Sequence, residues 1–431
     1  MILNPMQEAA GAAIRSRHNA LLLSPTGSGK TLAYVLPMLE MVRADVPALQ
    51  AVVVVPTREL AQQVEEVVKS QTSGAKCMSL YGGRATMDEH RRIKALQPHI
   101  VVATPGRLLD HLGKDNVQTA GVKLLVVDEY DKCLELGFRD EVGLICQHCS
   151  AVPQVVLTSA TALDQLTQGG VDEVFPQRKF QTINFLAEQS QLQQRLEVVQ
   201  VASPAKDKLQ TLAQLLTHIG GESTIVFVAH RESADRVAAH LAQLKFAAVV
   251  YHGGMEQEAR ERALYRFRAG AANVLVSTDL AARGLDIPDV RAIVHYHLPL
   301  DEAAFTHRSG RTARWDETGT AYLVVGPEEQ CPPYAETDRD LNVDDVSPKA
   351  HMPKWTVLYI GRGKKDKLSK ADILGFLCKK GGLTSAQIGR IDVHPHVSYV
   401  AVQRSAIKSL LQQVGGEKIK GMKTLIEEMR K

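Results

Sequence analysis

The chain has 431 residues, of which 45% are hydrophobic and 23% charged, with a formal net charge of +3. This composition is typical of a soluble globular protein, and the length predicts about two to four domains. No apolar run is long enough to span a membrane and no secretory signal is present, which excludes an integral membrane protein and favours a cytoplasmic one. The six cysteines are scattered, which argues against a disulfide framework, and the pair Cys146 and Cys149 lacks the second ligand pair of a zinc site.

An anion-binding loop is predicted near the start of the chain. Residues 20–23 are apolar and predict a buried strand, and Ser24-Pro25-Thr26-Gly27-Ser28-Gly29-Lys30-Thr31 follows. The two glycines allow a tight turn whose N–H groups face an anion, and a helix beginning at about Lys30 adds its positive end. Ser24 stands where the strict motif has its first glycine. We expect Lys30 to reach the β and γ phosphates of a nucleoside triphosphate and the Thr31 hydroxyl to bind Mg²⁺.

A pair of acids ends a later strand of the same half. Strands are predicted at residues 51–55, 100–103, 124–127 and 155–157. The third strand runs directly into Asp128-Glu129-Tyr130-Asp131, and ligands of open α/β sheets lie at the carboxyl ends of the strands. Asp128 is therefore expected to hold Mg²⁺ through water and Glu129 to polarise an attacking water. Together with the loop, this predicts hydrolysis of a nucleoside triphosphate.

The second half of the chain has a similar pattern without a phosphate loop. Strands are predicted at residues 224–228, 248–251, 274–277 and 292–295. Their alternation with helical stretches predicts a second parallel α/β sheet. This half ends in His307-Arg308-Ser309-Gly310-Arg311-Thr312-Ala313-Arg314. Arginines supplied by a second domain stabilise charge on a transferring phosphoryl group, which predicts one site completed by domain closure. The alternative is a basic surface turn.

The remainder of the chain is predicted to be a linker and a small basic domain. Residues 331–350 carry five acids against two bases and are rich in proline, which is typical of a linker. Residues 355–431 hold 15 Lys and Arg against 6 Asp and Glu. Strands are predicted near residue 355 and at 389–393, 398–402 and 418–422, with helices at 370–379 and 405–414. This β-α-β-β-α-β order predicts an RRM-like, nucleic-acid-binding domain.

Taken in chain order, these motifs resemble those of the DEAD-box family of ATP-dependent RNA helicases. The resemblance covers nearly the whole chain, which makes it more specific than any single motif. The matching segments are residues 3–7 (Q motif), 24–31 (I), 56–60 (Ia), 82–83, 104–107 (Ib), 128–131 (II), 159–161 (III), 225–227 (IV), 257–260, 277–279 with 282–286 (V) and 307–314 (VI). The fold class implied is two tandem RecA-like parallel α/β domains, at 1–190 and 191–330, a linker at 331–352 and an α+β RRM-like domain at 353–431.

The resemblance implies a role for each motif residue. It implies ATP and Mg²⁺ as ligands, with the nucleotide held by Gln7, Ser24, Thr26, Gly27, Ser28, Gly29, Lys30, Thr31 and Asp286. Arg311 and Arg314 would be arginine fingers. RNA sugar–phosphate contacts in the first domain would come from Thr57, Arg58, Gly83, Thr104 and Arg107. Residues of the second domain would make such contacts or brace them, namely Gly253, Arg260, Thr278 and Asp279. Ser159 and Thr161 would link Asp131 to His307 and so couple ATP to RNA.

Four features depart from the family pattern. The chain begins inside the Q motif, so the aromatic residue that the family places upstream is absent from the sequence. Tyr130 replaces the alanine of Asp-Glu-Ala-Asp. Ser309 and Ala313 replace the usual isoleucine and glycine of motif VI, although its three arginines are present.

The opening of the basic tail, residues 355–368, resembles the C-terminal RNA-binding domain of DbpA-type bacterial helicases. That resemblance implies binding to a structured element of 23S ribosomal RNA and a role in assembly of the large ribosomal subunit. Tyr359 and Tyr399 are the only tyrosines in the predicted central strands. We therefore expect recognition through phosphates and shape, led by Arg362, Lys364, Lys365 and Lys367; the alternative is a solvated lysine loop.

The sequence thus predicts a monomeric, RNA-stimulated ATPase that separates short RNA duplexes without processive movement. Two other functions remain open. An ATP-gated RNA clamp with slow hydrolysis would share the same motifs, and Tyr130 and the truncated Q motif keep it under consideration. A processive DNA translocase would share the phosphate loop and acids, but the Q-motif remnant, residues 56–60 and the RRM-like tail argue against it.

Overall fold

Parallel β-sheets covered by helices make up most of the chain. The computed structural model describes residues 3–25, 27–72, 74–83, 86–162, 171–186, 196–279, 290–312 and 318–429. These residues fold as two units, the first ending before residue 196 and the second beginning there. No helix among the described residues is both long and apolar enough to cross a membrane.

The first unit is a seven-stranded parallel sheet. Its strands are β1 (Asn19–Leu23), β2 (Ala51–Val54), β3 (Cys77–Leu80), β4 (Ile100–Ala103), β5 (Leu124–Val127), β6 (Gln154–Ser159) and β7 (Phe180–Asn184), in the order β3-β4-β2-β5-β6-β1-β7. Its helices are α1 (Pro5–Arg15), α2 (Lys30–Met41), α3 (Arg58–Gln71), α4 (Thr86–Leu96), α5 (Pro105–Gly113), α6 (Tyr130–Glu135), α7 (Arg139–His148) and α8 (Val171–Val174). Apolar side chains fill both faces, as expected for strands covered by helices on each side.

The second unit begins with another seven-stranded parallel sheet. Its strands are β8 (Leu196–Ala202), β9 (Thr224–Phe227), β10 (Ala248–Tyr251), β11 (Val274–Ser277), β12 (Ala292–His295), β13 (Gly319–Val325) and β14 (Arg339–Leu341), in the order β10-β11-β9-β12-β13-β8-β14. Its helices are α9 (Leu209–Ile219), α10 (Arg231–Gln243), α11 (Gln257–Arg268) and α12 (Glu302–Ser309). The strands predicted in each half are present, and the two tandem parallel α/β domains are confirmed.

The segment predicted to be a linker lies along this second sheet. Its residues 339–341 form β14, which adds to the edge strand β8 in parallel register. Val343 is buried in the core of the second sheet, and Gln214 of α9 donates a hydrogen bond to the Asp344 carbonyl at 2.9 Å. This segment therefore holds a fixed path over the domain that precedes it.

A four-stranded antiparallel sheet forms the C-terminal domain. Its strands β15 (Trp355–Ile360), β16 (Ile388–Val393), β17 (Ser398–Gln403) and β20 (Ile426–Glu428) have the order β16-β17-β15-β20, and helices α13 (Lys370–Lys379) and α14 (Ile407–Val414) pack on one face. This is the predicted RRM-like arrangement. The fourth strand was wrongly predicted at 418–422: that stretch is a hairpin of β18 (Lys418–Ile419) and β19 (Met422–Lys423). Lys420 and Gly421 both have positive φ there, as a two-residue hairpin turn requires.

Candidate nucleotide and RNA site

The phosphate loop connects β1 to α2 at the carboxyl edge of the first sheet. Gly27 and Gly29 have φ of +82° and +89°, and Gly29 caps the N-terminus of α2. A Cβ on Gly29 would lie 2.5 Å from the side-chain nitrogen of Gln7. The loop therefore requires glycine at this position for both its backbone conformation and the close approach of Gln7. Thr26 lies outside the described residues.

Lys30 and Gln7 both contact the backbone of this loop. The Lys30 ammonium is buried and donates to the carbonyls of Ser24 and Pro25 at 2.6 and 2.8 Å. The Gln7 amide donates to the Gly29 carbonyl at 3.3 Å, and a reciprocal capping box with Asn4 holds Gln7 at the first turn of α1. The start of the described chain is thus attached to the phosphate loop through Gln7.

Asp128 is held by two hydroxyls that the sequence analysis did not single out. The buried Tyr34 hydroxyl on α2 donates to its Oδ2 at 2.7 Å, and the Thr158 hydroxyl of β6 donates to its Oδ1 at 2.5 Å. Burial and the nearby carboxylate raise the pKa of Tyr34 well above its ordinary value, so it remains a donor. Because Tyr34 lies one turn beyond Lys30, these contacts tie the acid to the helix that begins at the phosphate loop.

Glu129 has an unusual backbone conformation. Its φ is +51°, in the left-handed region that non-glycine residues seldom adopt, and it caps the N-terminus of α6. The Glu129 N–H donates to Asp128 Oδ1 and to the Thr158 hydroxyl, both at 3.1 Å. Backbone strain of this kind, of about 1–3 kcal/mol, persists where surrounding contacts enforce it, and it is concentrated at functional sites.

Motif III joins motif II to the phosphate loop. The carboxylate of buried Asp131 accepts hydrogen bonds from the Ala160 N–H at 3.2 Å and the Thr161 hydroxyl at 3.1 Å. The Ser24 N–H donates to the Ser159 carbonyl at 3.0 Å. The predicted link between Thr161 and Asp131 is therefore present. His307 belongs to the second unit, where its side chain is buried.

The oxygen atoms of Thr31 and Asp128 suit Mg²⁺, a metal that needs few ligands from the protein. Thr31 and Asp128 offer hard oxygen atoms, and the Asp128 carboxylate keeps acceptor capacity beyond its contacts with Tyr34, Thr158 and the Glu129 N–H. Within the described parts of the chain, no group of three His, Cys, Asp or Glu side chains is arranged to enclose a metal. Mg²⁺ commonly keeps several waters and binds one or two protein groups together with phosphates.

The predicted RNA-contacting residues of the first domain follow three neighbouring strands. Thr57 and Arg58 come after β2, Gly83 after β3, and Thr104 and Arg107 after β4, so all five lie at the same edge of the sheet. Gly83 has φ of +92°, and a Cβ there would lie 2.6 Å from the Arg58 guanidinium. Thr57 and Thr104 are N-caps of α3 and α5, so this edge also carries two helix N-termini.

In the second domain, the first arginine of motif VI braces motif V. Buried Arg308 makes a two-pronged ion pair with Asp279, at 2.5 and 3.1 Å, and donates to the His297 carbonyl at 2.9 Å. The Asp279 carboxylate is therefore engaged by protein. Arg311 is buried, and its carbonyl accepts from the Val290 N–H. Arg314 and Asp286 lie outside the described residues.

The other predicted RNA contacts of this domain lie on adjacent strands. Gly253 follows β10 and Thr278 follows β11, which pair in parallel, so both lie at the carboxyl edge of the second sheet. Arg260 donates to the Tyr251 hydroxyl at 3.2 Å, with its guanidinium 5.3 Å from that ring's centre. This positions Arg260 next to the end of β10.

Models of known protein families match each of the three domains. The DEAD/DEAH box helicase model matches residues 4–168, the helicase conserved C-terminal domain matches 207–316, and the DbpA RNA binding domain matches 357–428. The chain is 34% identical to the ATP-dependent RNA helicase DbpA of Escherichia coli (strain K12), over 98% of this chain and 93% of that protein. The chain belongs to the DEAD-box family of ATP-dependent RNA helicases.

One more relative and one solved structure are also RNA helicases or RNA-bound proteins with a similar sequence or fold. The chain is 35% identical to the ATP-dependent rRNA helicase rrp3 of Emericella nidulans, over 74% of this chain and 69% of that protein. Among solved structures, S. cerevisiae Dbp5 bound to RNA and ADP BeF3 has a TM-score of 0.65 and 25% identity, covering 80% of this chain and 95% of that one.

Tyr130, the residue that departs from this helicase family's Asp-Glu-Ala-Asp, is fully buried in the core of the first domain. Its ring centre lies 6.2 Å from that of Phe175, which in turn packs edge-on against Phe180. Burial raises the pKa of Tyr130 above its ordinary value, so it is neutral. The larger side chain therefore fills apolar space behind motif II.

The helicase's predicted C-terminal RNA residues lie in one loop after β15. Lys364, Lys365 and Lys367 are exposed and make no ion pair with any described residue, whereas Arg362 pairs with Asp366 at 2.8 Å. The N–H groups of Lys364 and Lys365 donate to the His394 and Pro395 carbonyls, at 2.8 and 2.9 Å. The loop is therefore anchored while its lysine side chains face solvent.

Proposed function

We propose that this helicase is an RNA-stimulated ATPase that opens short RNA duplexes locally and acts on 23S ribosomal RNA during assembly of the large subunit. The observation that carries the enzymatic part is the Asp128 contact set. Tyr34, on the helix of the phosphate loop, and Thr158, beside motif III, hold one carboxylate between the nucleotide motifs. Such preorganisation is what a phosphoryl-transfer site requires, because catalysis there is mainly positioning and electrostatic stabilisation.

On this proposal each residue of the first domain has one task. Lys30 exchanges the two loop carbonyls for nucleotide phosphates, and Gln7 binds the adenine edge. Thr31 and Asp128 hold Mg²⁺, which would neutralise charge on the phosphates. Glu129 orients the attacking water, and the backbone N–H groups of residues 27–31 cradle the anion. Arg311 and Arg314 complete the site from the second domain and stabilise charge on the phosphoryl group.

RNA recognition by the two helicase domains is proposed to be independent of base sequence. The predicted contacts are hydroxyls, arginines and glycines at strand ends, groups that bind the sugar–phosphate backbone and position a strand. Asp279 acts here by bracing Arg308. ATP and RNA together close the domains, the bound strand bends so that its partner leaves, and hydrolysis releases it. Ser159, Thr161, Asp131 and His307 would transmit that closure.

The choice of ribosomal RNA is proposed to come from the C-terminal domain. The DbpA RNA binding domain match supports this assignment, as do the three exposed lysines of the loop at residues 364–367, which form no ion pair with the described part of the chain. Crosslinking the protein to cellular RNA and sequencing the sites tests it. We expect the C-terminal domain to crosslink to one structured element of 23S RNA. Crosslinks scattered over unrelated RNAs would refute the assignment.

An ATP-gated clamp with slow hydrolysis is the competing function. Its support was the tyrosine in motif II together with the truncated Q motif. The Tyr130 ring is buried beside Phe175 in the apolar core of the first domain, which weakens the first of these two arguments. Multiple-turnover ATPase with and without ribosomal RNA fragments separates the two. We expect strong stimulation by RNA, and the absence of stimulation by any RNA would refute the enzymatic proposal.

A further inference from the structure

One face of the RRM-like sheet is covered by the second helicase domain. Tyr265, Ala269 and Ala271, at the end of α11 and just beyond it, pack against a set of small and aromatic side chains on β15 and β17, namely Val357, Tyr399 and Ala401. The Tyr265 hydroxyl also donates to the Arg390 carbonyl at 2.6 Å. We call this contact the seam. It makes the second helicase domain and the C-terminal domain parts of one folded unit.

The seam covers the face on which an RRM usually stacks bases. Tyr399 is only 2% exposed, and its ring lies 5.2 Å from that of Tyr265. Base stacking on this tyrosine would require the seam to open. RNA that is bound by this unit with the seam intact must therefore be held at its rim or elsewhere on the surface.

Two arginines flank the seam, one on each side. Arg404, at the end of β17, donates to the carbonyls of Pro353 at 3.0 Å and Trp355 at 2.9 Å. The Trp355 ring reaches the helicase side, because a Cβ on Gly270 would lie 3.3 Å from it. Arg266, on the last turn of α11, is the second arginine. The Arg266 carbonyl accepts from the N–H groups that follow Gly270.

These two arginines have no acidic partner among the residues that the structure describes. Neither side chain forms an ion pair with any described residue, and both are partly buried. Partial burial lowers the pKa of the Arg266 guanidinium, and the positive charge of nearby Arg404 lowers it further. Arg404 is held at Trp355, whose ring lies against Gly270 one turn beyond Arg266, so the two positive charges lie on either side of the same contact. Like charges in such an arrangement repel, and the repulsion is relieved when an anion binds near both.

We propose that Arg266 and Arg404 form a clamp for one phosphate of the RNA backbone, bridging the second helicase domain and the C-terminal domain. A guanidinium presents paired N–H donors that match phosphate oxygens, and the two groups together can neutralise one phosphate. This inference rests on the proposed RNA binding. The clamp implies that an RNA strand bound by the C-terminal domain crosses the seam. Both domains would then contact the same phosphate and fix the path of the RNA toward the helicase domain.

The test uses the full-length protein with Arg266→Gln, Arg404→Gln and the double variant. The probe is a fluorescein-labelled 23S ribosomal RNA fragment, titrated by anisotropy over a range of salt concentrations without nucleotide. Each single variant should weaken binding about tenfold at ~0.1 M salt and should reduce the slope of log affinity against log salt by about 1. Because one phosphate is shared, the double variant should lose little more than either single variant.

Controls separate the clamp from general charge and from folding. Lys379→Gln removes one exposed positive charge from the last turn of α13, a helix on the opposite face of the sheet from the seam. It should leave the affinity nearly unchanged. Arg266→Lys and Arg404→Lys keep the charge and should retain most of the salt slope while losing part of the affinity. Arg266→Gln removes one of two like charges and should leave the thermal midpoint unchanged or raised. Arg404→Gln also loses its hydrogen bonds to the Pro353 and Trp355 carbonyls and should lower the midpoint, so its RNA affinity is measured well below that midpoint.

Three outcomes would overturn the clamp. Affinity and salt slope in the Gln variants equal to those of Lys379→Gln would show that no phosphate is held there. Losses in the two single variants that add fully in the double variant would show separate contacts. A lower thermal midpoint with unchanged RNA binding would make the arginines structural. Absence of RNA binding by the unmodified protein would overturn the proposed function together with the clamp.

Discussion

Replacing Tyr34 with phenylalanine removes a single oxygen atom from the centre of the proposed ATP site. The Tyr34 side chain is fully buried, and its hydroxyl is 2.7 Å from Asp128 Oδ2. The ring would keep its packing in the core, so the change is limited to the loss of one donor. Asp128 would then be held by Thr158 and the Glu129 N–H alone, both of which contact Oδ1.

The structure gives a magnitude for this loss. A hydrogen bond to a charged group contributes about 1.5–3 kcal/mol, and 1 kcal/mol shifts the midpoint of a domain of roughly this size by about 2–4 °C. Tyr34→Phe should therefore lower the thermal midpoint of the first domain by roughly 3–12 °C, measured by calorimetry on the full chain. Because Asp128 would hold Mg²⁺ less well, kcat at saturating RNA should fall about tenfold or more, and half-maximal ATPase should require more Mg²⁺.

Tyr81→Phe is the matched control. Tyr81 is another fully buried tyrosine of the first domain, and its hydroxyl accepts a hydrogen bond from Gln62, away from Asp128. It should lose stability without any change in the Mg²⁺ dependence of the ATPase. If Tyr34→Phe keeps the wild-type kcat and Mg²⁺ dependence, or if both variants shift them equally, Tyr34 does not position Asp128.

The remaining predictions concern the acids, the departure in motif II and the tail. Glu129→Gln should leave ATP binding intact and abolish turnover, measured by equilibrium binding and steady-state ATPase; turnover near the wild-type rate would exclude Glu129 as the group that orients water. Tyr130→Ala, which restores the family's alanine, should destabilise the first domain by about 3–5 kcal/mol, because it leaves a cavity beside Phe175, whereas Tyr130→Phe should cost less; a stable alanine variant would show that the core can collapse. Replacing Lys364, Lys365 and Lys367 with glutamine should weaken binding to ribosomal RNA and reduce the slope of log affinity against log salt concentration. The ATPase activity stimulated by nonspecific RNA should be unchanged. Equal losses on both RNAs would show that this loop is not the selective contact.

Local sequence signals predicted the parts of the site that lie within one short segment. The glycines at 27 and 29, the apolar run before them and Lys30 form one strand–loop–helix unit, and its geometry follows from these residues alone. The alternation of apolar strands with helical stretches also predicted the two parallel sheets. The β-α-β-β-α-β pattern predicted the RRM-like domain, although its fourth strand was placed several residues too early. The hydroxyls of Tyr34 and Thr158 were missed because no local pattern distinguishes them. Tyr34 is 94 residues from Asp128 in sequence, and Thr158 is 30 residues away.

The segment at 331–352 shows a second limit of sequence reasoning. Its acidic, proline-rich composition indicates that it buries little apolar surface on its own, and a linker was the natural interpretation. Composition does not show what a neighbouring element offers. β8 has an edge that needs hydrogen-bonding partners, and the segment supplies β14 there, together with an ion pair between Arg339 and Glu197 at 2.7 Å.

Further along, the Asn273 amide donates to the His351 carbonyl at 3.1 Å. The chain is therefore held against the second helicase domain until just before β15, and the seam holds it after that. A flexible insertion just before β15 would lengthen the connection but leave the seam contacts of Tyr265 with Tyr399 and with the Arg390 carbonyl in place, so we expect the C-terminal domain to remain docked in such a variant.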